Sequence, residues 1–318
     1  MSGSNGHVLV TGGAGFIGAA VARSLLERGA EVTVADLHPS PDPRARSVTG
    51  DLRRSEILDL AMTRPVTAIV HLAAETSVLA SMSRPVEVHE TNVRLTLSLL
   101  ERCRTEGVGR FVLASTNAVV GDIGEGVIDE KSPLRPLTPY GATKAAAEML
   151  VSAYSASYGI AGSAVRLTNV YGPGMQHKDS LVARLMRACL AQGEVSIYGE
   201  GNQVRDYLYI DDAVQGILLG LDEGAPGPLT VGSGISTSVN DLHHLVGDVT
   251  GVDLALPHVA SPPGEMPAVR VSIDRARRLG FQPRTTLRRG LAATWEAFGR
   301  RDRGPEAGEE GSHGVPMR

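Results

Sequence analysis

The chain has 318 residues, of which 42% are hydrophobic and 21% charged, and its formal net charge is −4. This composition is typical of a globular protein with one large α/β unit or a domain with a smaller partner, and the slightly acidic balance argues against a nucleic-acid partner. No apolar run approaches the roughly 20 residues of a membrane-spanning helix, and the short polar start is unlike a signal peptide, so no membrane partner is expected.

The first half of the chain alternates short apolar strands with helices. Predicted strands cover 7–11, 31–35, 67–71, 110–114 and 162–167. Predicted helices follow the first strand to about residue 28 and cover 87–104 and 139–158. This alternation predicts an α/β fold with a parallel sheet, covered on both faces and connected by right-handed crossovers. Ligands of such sheets bind beyond the carboxyl ends of the strands.

The second half is less regular. Predicted helices cover 181–192, 212–221, 240–249 and 286–298, and predicted strands cover 194–198, 207–210 and 229–231. Residues 261–264 read as a loop, and the tail at 300–318 is charged and rich in Gly and Pro. Because the tail offers little to bury, we expect it to be disordered.

The two cysteines, Cys103 and Cys189, both fall within predicted helices. In these positions we expect reduced core thiols and no disulfide, which is the usual state in a reducing compartment. The sequence therefore favours a cytoplasmic protein. No metal site is expected.

A glycine-rich loop lies between the first strand and the first helix. Gly12, Gly15 and Gly18 form a G-x-x-G-x-x-G pattern, in which backbone N–H groups can approach a pyrophosphate at the positive end of the helix. Asp36 ends the second strand and can accept hydrogen bonds from both hydroxyls of an adenosine ribose, which favours NAD over NADP. The alternative is a tight turn with a surface Asp. Two arginines keep NADP open: Arg44 and Arg46.

Further candidates for cofactor contact follow what looks like a short third strand before residue 51 and the fourth strand at 67–71. Asp51 could bind an adenine amino group with the backbone of Leu52 nearby, although an N-cap of the next helix explains Asp51 equally well. Asn92 lies inside a predicted helix, where it could accept or donate a hydrogen bond from within the core, although in isolation it would be a solvated polar residue. Three residues after the fourth strand offer small or apolar side chains where backbone must pass close to a cofactor: Leu72, Ala73 and Ala74.

Tyr140 and Lys144 stand one helical turn apart at the start of the helix predicted at 139–158. A free tyrosine has a pKa of ~10 and is a poor base at neutral pH. Bringing this pKa near 7 needs ~3 units, or roughly 4 kcal/mol of differential stabilisation. A lysine and a cationic nicotinamide could supply that in a partly dry cleft. The alternative is a surface Tyr and a solvated Lys.

Taken together, these motifs resemble the extended short-chain dehydrogenase/reductase family, in its NAD-dependent nucleotide-sugar epimerase/dehydratase branch. The resemblance runs from about Val8 to Phe298 and is strongest to UDP-glucuronic acid and UDP-glucose 4-epimerases. It implies a Rossmann-type doubly wound parallel sheet with a smaller α/β substrate-binding domain. The NAD-binding domain would comprise 1–167 and about 202–225, and the substrate domain about 168–201 and 226–299. The matching segments are 11–18, 36, 51–52, 71–74, 92, 115–116, 140–144, 169–174 and 205–212.

The resemblance also implies roles for individual residues. Tyr140 would be the general base, Thr116 would share its proton and bind the reacting sugar oxygen, and Lys144 would bind the nicotinamide ribose and lower the pKa of Tyr140. Substrate contacts are implied for Thr116, Asn117, Tyr140, Asn169, Ser196, Tyr198 and Arg205. Contacts with NAD are implied for Gly12, Gly15, Phe16, Ile17, Asp36, Asp51, Leu52, Leu72, Ala73, Ala74, Asn92, Tyr140, Lys144 and Val170. A homodimer is implied through the helices at 87–104 and 139–158.

The residues after Thr116 narrow the reaction. Sugar 4,6-dehydratases of the family carry Asp-Glu there, and this chain has Asn117 and Ala118. UDP-glucuronate decarboxylases usually carry an acidic residue in the same region, and Asp36 argues against the NADPH-linked reductases. The 4-epimerases remain, which oxidise the sugar transiently to a 4-keto form and reduce it on the other face.

Two departures from the UDP-glucose 4-epimerase pattern bear on the substrate. The segment at 171–179 is compact, and the stretch at 261–267 has proline where an arginine is expected. Both favour epimerisation of UDP-glucuronic acid to UDP-galacturonic acid, while UDP-glucose and UDP-N-acetylglucosamine remain open. A non-catalytic NAD-binding sensor is a distant alternative, because such proteins usually lose the Tyr or the Lys.

Overall fold

A computed structural model describes residues 6–221, 225–260 and 268–302. The strands are β1 His7–Thr11, β2 Glu31–Asp36, β3 Arg46–Thr49, β4 Ala68–His71, β5 Arg110–Thr116, β6 Val127–Ile128, β7 Ala161–Leu167, β8 Asn169–Tyr171, β9 Ile197–Tyr198, β10 Val204–Tyr209, β11 Gly227–Val231, β12 Ser236–Ser238, β13 His258–Val259 and β14 Arg270–Val271. The α-helices are α1 Phe16–Glu27, α2 Ser55–Ala61, α3 Val78–Ser83, α4 Pro85–His89, α5 Leu95–Glu106, α6 Pro139–Tyr158, α7 Leu181–Ala191, α8 Ile210–Leu221, α9 Val239–Thr250, α10 Asp274–Arg278 and α11 Leu287–Asp302.

Seven strands form one parallel sheet in the order β11-β7-β5-β4-β1-β2-β3. The chain moves outward from β1 to β3 on one side and from β4 to β7 on the other, so the strand order reverses between β1 and β4. A crevice opens at such a reversal, beyond the carboxyl ends of the two strands. The parallel α/β fold and its doubly wound order are therefore confirmed.

Alternate residues of the strands pack on opposite faces of the sheet. In β1, Val8 and Val10 join a core with α1 and α8, and Leu9 joins a second core with α5 and α6. The strands are apolar on both faces because helices cover both. The two predicted core thiols are reduced and buried, one in each of two cores: Cys103 and Cys189.

A smaller α/β unit has its own core, built from α7, α9, α11, β8 and β10 around Leu185, Leu242 and Leu291. Its strands form small sheets, β12-β10-β8 and β13-β9. The strand β11, which the sequence assigns to the substrate domain, pairs with β7 in the large sheet, and α10 packs onto it. Conversely, β10 falls within 202–225, which the sequence assigns to the NAD-binding domain, yet it contributes to the core of the smaller unit. The rest of the division into two domains stays a prediction.

Several element boundaries differ from the prediction. The helix predicted at 87–104 starts at Pro85 and contains a π-helical turn over Glu90–Arg94. The last helix continues to Asp302, past the predicted end at 298 and into the segment expected to be disordered. After residue 298, the first helix-breaking Gly-Pro pair stands at residues 304 and 305, which explains the extension. The rest of the tail, and the proline-containing stretch at 261–267, lie outside the described residues.

No helix in the described part of the chain is both long and apolar enough to cross a membrane.

Candidate active site

The glycine loop lies at the carboxyl end of β1, in the crevice of the large sheet. Gly12 has φ +69°, and a Cβ there would lie 2.6 Å from the backbone N of Ala73, so the loop after β4 can pass close only because this residue is glycine. Gly15 precedes α1, and no side chain caps that helix. The N–H groups of its first turn therefore remain available to an anion.

Asp36 ends β2 next to the glycine loop and accepts the Ala14 N–H at 3.1 Å. The arginines that kept NADP open are both engaged away from it. Arg44 forms an ion pair with Asp42, and Arg46 donates to the carbonyl of Leu60 at 2.8 Å. Asp36 itself would repel a ribose 2′-phosphate.

Asp51 follows β3, as predicted, but it is not the N-cap of α2, because Arg54 occupies that position. Its carboxylate forms an ion pair with Arg53 at 2.7 Å. The Arg53 guanidinium lowers the pKa of Asp51, burial opposes this effect, and a backbone hydrogen bond from Arg53 adds to it. Leu52 is buried beside it. A contact between Asp51 and an adenine ring stays a prediction.

His71, at the end of β4, is buried in a chain of hydrogen bonds. Thr96 donates to the carbonyl of Asn92 at 2.7 Å, so towards His71 Nε2, 3.0 Å away, its hydroxyl can only accept. The imidazole is then protonated on Nε2, and Nδ1 accepts from Thr11 at 2.7 Å. Burial, with a smaller effect of the Lys144 charge, lowers the pKa of His71 to about 3, so His71 is a neutral, structural residue.

Asn92 is buried within the π-helical turn Glu90–Arg94, and it is not the solvated residue that its isolated position suggested. Its side chain accepts the Glu75 N–H at 2.9 Å and donates to the Glu75 carbonyl at 3.0 Å and to Thr143 Oγ1 at 3.1 Å. Asn92 thus joins the loop after β4 to the helix that carries Tyr140. Such π-turns are frequent at functional sites.

The start of α6 places Tyr140 beside Thr116. The Thr138 hydroxyl caps the helix by accepting the Gly141 N–H at 3.2 Å. Gly141 lies so close to the segment after β5 that a Cβ would stand 2.6 Å from the carbonyl oxygen of Ala118. At this separation, the Thr116 hydroxyl lies close enough to Tyr140 to lower the pKa of its phenol.

Tyr140 and Lys144 are both held in a poorly solvated place. Burial raises the pKa of Tyr140 to about 12, and the hydrogen bond with Thr116 opposes the increase. Lys144 is 3% exposed, and burial lowers its pKa to about 8, against the attraction of Glu148. The cluster can therefore exchange protons, but Tyr140 needs a further positive charge nearby to become a base at neutral pH.

The sequence did not indicate the buried ion pair behind this cluster. Arg166 on β7 donates to both carboxylate oxygens of Glu148 on α6, with its shortest contact at 2.8 Å, and Ser115 on β5 donates to the same carboxylate. Ser115 and Arg166 are register partners on adjacent strands. One sequence signal could have indicated Glu148, namely the four-residue spacing that it shares with Tyr140 and Lys144.

An open cavity lies in the smaller unit. Its lining brings together four residues that the resemblance assigns to the substrate, Asn169, Ser196, Tyr198 and Arg205, and one that it assigns to NAD, Val170. Several other lining residues received no binding role from the sequence: Ser180, Leu181, Gln203, Tyr207 and Val239. Arg184 also lines the cavity and donates to the Ser196 carbonyl at 2.8 Å.

Some polar atoms of these regions lack protein partners. Asn117 is 4% exposed, and neither its amide nitrogen nor its oxygen has a hydrogen-bond partner among the described residues. The Ser180 hydroxyl, which lines the cavity at the start of α7, is buried and lacks one as well. Unpaired buried polar groups are costly, so each is a candidate for contact with a ligand.

Comparison with known proteins places these features in a family. Residues 8–232 match the model of the NAD dependent epimerase/dehydratase family. The chain is 35% identical over 305 residues to a dTDP-glucose 4,6-dehydratase of Streptomyces griseus, covering 91% of this chain and 92% of the relative.

Solved structures show the same similarity. A UDP-glucose 4-epimerase of Thermotoga maritima, solved with UDP-glucose, is 31% identical with a TM-score of 0.89, covering 93% of this chain and 99% of that one. MoeE5 in complex with UDP-glucuronic acid and NAD is 36% identical with a TM-score of 0.87, covering 93% and 100%. The chain therefore belongs to the NAD dependent epimerase/dehydratase family, and NAD is its cofactor.

Proposed function

We propose that the protein is a 4-epimerase of a UDP-sugar. The observation that carries this proposal is the cluster of Thr116, Tyr140 and Lys144, together with the identity of the two residues after Thr116, which are Asn117 and Ala118. An elimination across the sugar needs a second acid and base, and neither an amide nor a methyl group can serve as one. Although dehydratases are among the relatives, this site supports removal and return of a single proton.

In the proposed mechanism, Tyr140 takes the proton of the sugar 4-hydroxyl and later returns it. Bound NAD supplies the complementary chemistry, the reversible acceptance of a hydride from C4. Thr116 holds the reacting oxygen by a hydrogen bond and stabilises the phenolate. Lys144 keeps a positive charge one helical turn from Tyr140, which favours the phenolate once the site is closed to water.

We propose that the loop and strand ends around the crevice hold NAD. The uncapped first turn of α1, with Phe16 and Ile17, would receive the pyrophosphate, and Asp36 would receive the adenosine ribose. The backbone after β4, which passes close to Gly12, would border the nicotinamide half together with Val170. The free N–H groups at the start of α1 fit this group.

The cavity of the smaller unit would bind the nucleotide. Tyr198 and Ser196 lie on and beside β9, whose backbone could pair with the edge of a uracil ring. Arg205 presents a fork of donors suited to phosphate. Asn169 is exposed at the cavity and donates to the carbonyl of Asp206 at 3.0 Å, which fixes its amide near the phosphates or the sugar.

For the sugar itself we propose UDP-glucuronic acid, converted to UDP-galacturonic acid. Support comes from MoeE5, whose complex contains UDP-glucuronic acid, and from the compact segment between β8 and α7. The amide nitrogen of Asn117 could donate to the C6 carboxylate. UDP-glucose is the second candidate, because a C6 hydroxymethyl group could satisfy both unpaired atoms of Asn117 at once.

The reaction is tested by incubating the purified protein with UDP-glucuronic acid, UDP-glucose and UDP-N-acetylglucosamine separately, and following C4 by proton NMR. We expect inversion without loss of water, fastest with UDP-glucuronic acid. A 4-keto-6-deoxy product would instead identify a dehydratase. Inversion of none of the three sugars would contradict the proposed function.

The choice between the two leading sugars is tested by Asn117→Asp. A carboxylate at this position would repel the glucuronate carboxylate but not a hydroxymethyl group, and like charges placed together cost several kcal/mol. We expect kcat/KM for UDP-glucuronic acid to fall about a hundredfold more than that for UDP-glucose. Equal losses would show that Asn117 does not face C6.

We also propose a homodimer formed through α5 and α6. Both helices expose large apolar or aromatic side chains, among them Leu97, Met149 and Tyr158. Light scattering at micromolar concentration should give twice the chain mass of 33.4 kDa. A monomer mass would contradict this proposal.

A further inference from the structure

The face of α6 that carries Tyr140 and Lys144 continues to a third group. Glu148 follows Lys144 by four residues, so all three side chains lie along one face of the helix. The rise of the helix separates Glu148 from Lys144 by about 6 Å and from Tyr140 by about 12 Å. The carboxylate therefore acts more strongly on the lysine than on the tyrosine.

Glu148 is fixed more firmly than either residue before it. It is 6% exposed, and its carboxylate accepts from Arg166 on β7 and from Ser115 on β5. Arg166 is 2% exposed and also donates to the carbonyl of Asp129 at 3.1 Å. A helix and two adjacent strands thus hold one negative charge in a defined place behind the lysine.

The other groups around Lys144 do not provide this charge. On α6 there is Tyr140, on β4 the neutral His71, and on β7 the cationic Arg166, which pairs with Glu148. Residues 90–94 carry Glu90 and Arg94, but these two side chains pair with each other. The side chains of that turn and of β5 that form hydrogen bonds around α6 are uncharged: Ser115, Thr116 and Asn92. Glu148 is therefore the anion that compensates the buried ammonium.

We propose that Glu148, held by Arg166 and Ser115, is a positioning residue that keeps Lys144 oriented and positively charged beside Tyr140. This inference rests on the proposed epimerase function. Burial acts against the lysine charge and Glu148 supports it. Because Tyr140 needs that charge to act as a base, the ion pair behind the site influences proton transfer without touching the substrate.

The test is the pH dependence of kcat/KM in Glu148→Gln. Removing the carboxylate lowers the pKa of Lys144, so we expect the alkaline limb to move about one unit towards lower pH and the rate on that limb to fall about tenfold at a given pH. Glu148→Asp, which keeps the charge, should leave the alkaline limb close to its position in the unaltered protein. A lower rate with an unmoved limb would overturn the inference and leave Glu148 as a structural residue.

The matched control is Glu106→Gln, which removes a carboxylate from an arginine-paired glutamate at the exposed end of α5. We expect its limb to coincide with that of the unaltered protein. If Glu148→Gln does not fold, the double variant Glu148→Gln/Arg166→Gln removes both buried charges. Its limb should still move to lower pH, because Glu148 is the charge that raises the pKa of Lys144, and an unmoved limb would again overturn the inference.

A second readout needs no substrate. Tyrosinate absorbs in the near ultraviolet, and the difference between each protein and its Tyr140→Phe counterpart isolates Tyr140 in the NAD complex. We expect Glu148→Gln to raise the pKa of Tyr140, since Lys144 has lost charge. If the unaltered protein epimerises no UDP-sugar, the proposed function fails, yet this titration still decides whether Glu148 supports Lys144.

Discussion

Two buried asparagines show how the cofactor side and the substrate side of the molecule differ. Asn92, between β4 and α6, uses its amide for three hydrogen bonds with protein groups. Asn117, directly after Thr116, is nearly as buried and makes none with the described residues. Burying an unpaired amide is costly. The first asparagine therefore belongs to a framework completed by folding, and we propose that the second belongs to a surface completed by a ligand.

The same contrast extends to neighbouring groups. On the cofactor side, His71, Thr11 and Thr96 satisfy one another, and Glu148 is paired with Arg166. On the substrate side, the buried hydroxyl of Ser180 faces the nucleotide cavity without a partner. We infer that folding prepares the proton-transfer geometry before any ligand binds, while the sugar and nucleotide contacts form on binding.

The largest effect is expected at the point where the two sides meet. Tyr140→Phe removes the hydroxyl that exchanges the proton with the sugar, and we expect kcat to fall about a thousandfold or more. NAD should remain bound, because the glycine loop and Asp36 are untouched. Turnover is measured by C4 inversion, and bound cofactor by its absorbance after denaturation.

Tyr158→Phe is the control, since it removes a tyrosine hydroxyl at the exposed end of the same helix. It should leave turnover unchanged. Substantial activity in Tyr140→Phe would remove Tyr140 from the proposed role, and loss of NAD from that variant would show that the framework depends on it.

The second effect concerns the completed framework. Asn92→Ala deletes three hydrogen bonds and leaves the backbone of Glu75 and the Thr143 hydroxyl without their partner. We expect the free energy of unfolding to fall by about 3 kcal/mol, measured by urea denaturation. A loss below about 1 kcal/mol would mean that the framework tolerates an unpaired group as readily as the substrate side does.

Sequence patterns predicted the framework unevenly. The strands, the glycine loop and Asp36 were predicted because local periodicity and turn chemistry specify them. The burial of Asn92 was only one of two alternatives, because a polar residue within a helix usually faces solvent and a π-turn has no sequence signature. The pair of Glu148 and Arg166 joins a helix to a strand through tertiary contacts that local patterns do not record.

The cavity of the smaller unit was predictable only through the family resemblance. Asn169, Ser196 and Arg205 show no local spacing that would bring them together, yet all three line the cavity. Ser180 and Gln203 were missed because each is an ordinary polar residue of a helix start or a loop. The assembly of such a site depends on the packing of several short elements, which one sequence does not specify.

The third effect is a pH dependence of stability that belongs to the framework. The pKa of His71 is about 3 in the folded protein and ~6.5 in the unfolded chain. Above pH ~6.5 both states are neutral, and below it the unfolded state binds the additional proton. Through this residue, the free energy of unfolding should therefore fall by up to about 1.4 kcal/mol per pH unit as pH decreases from ~6.5 towards 5.

The measurement compares urea unfolding of the unaltered protein and of His71→Gln over this range. The difference between the two curves cancels the other groups that titrate there, including His7, whose pKa burial also lowers. We expect the difference to narrow as pH falls. A constant difference would mean that His71 is protonated in the folded protein, which its hydrogen bonds do not allow.

The smallest effect is expected from the substitution that mirrors Asn92→Ala on the substrate side. Asn117→Ala removes an amide that has no protein partner, so the lost desolvation cost offsets the small cavity that remains. We expect the free energy of unfolding to change by less than about 1 kcal/mol, while KM for the UDP-sugar rises. The same deletion at two equally buried positions then separates framework from binding surface, because volume and burial are matched and only the hydrogen-bond partner differs. If both variants lose the same stability, Asn117 has a protein partner in solution and is not reserved for the substrate.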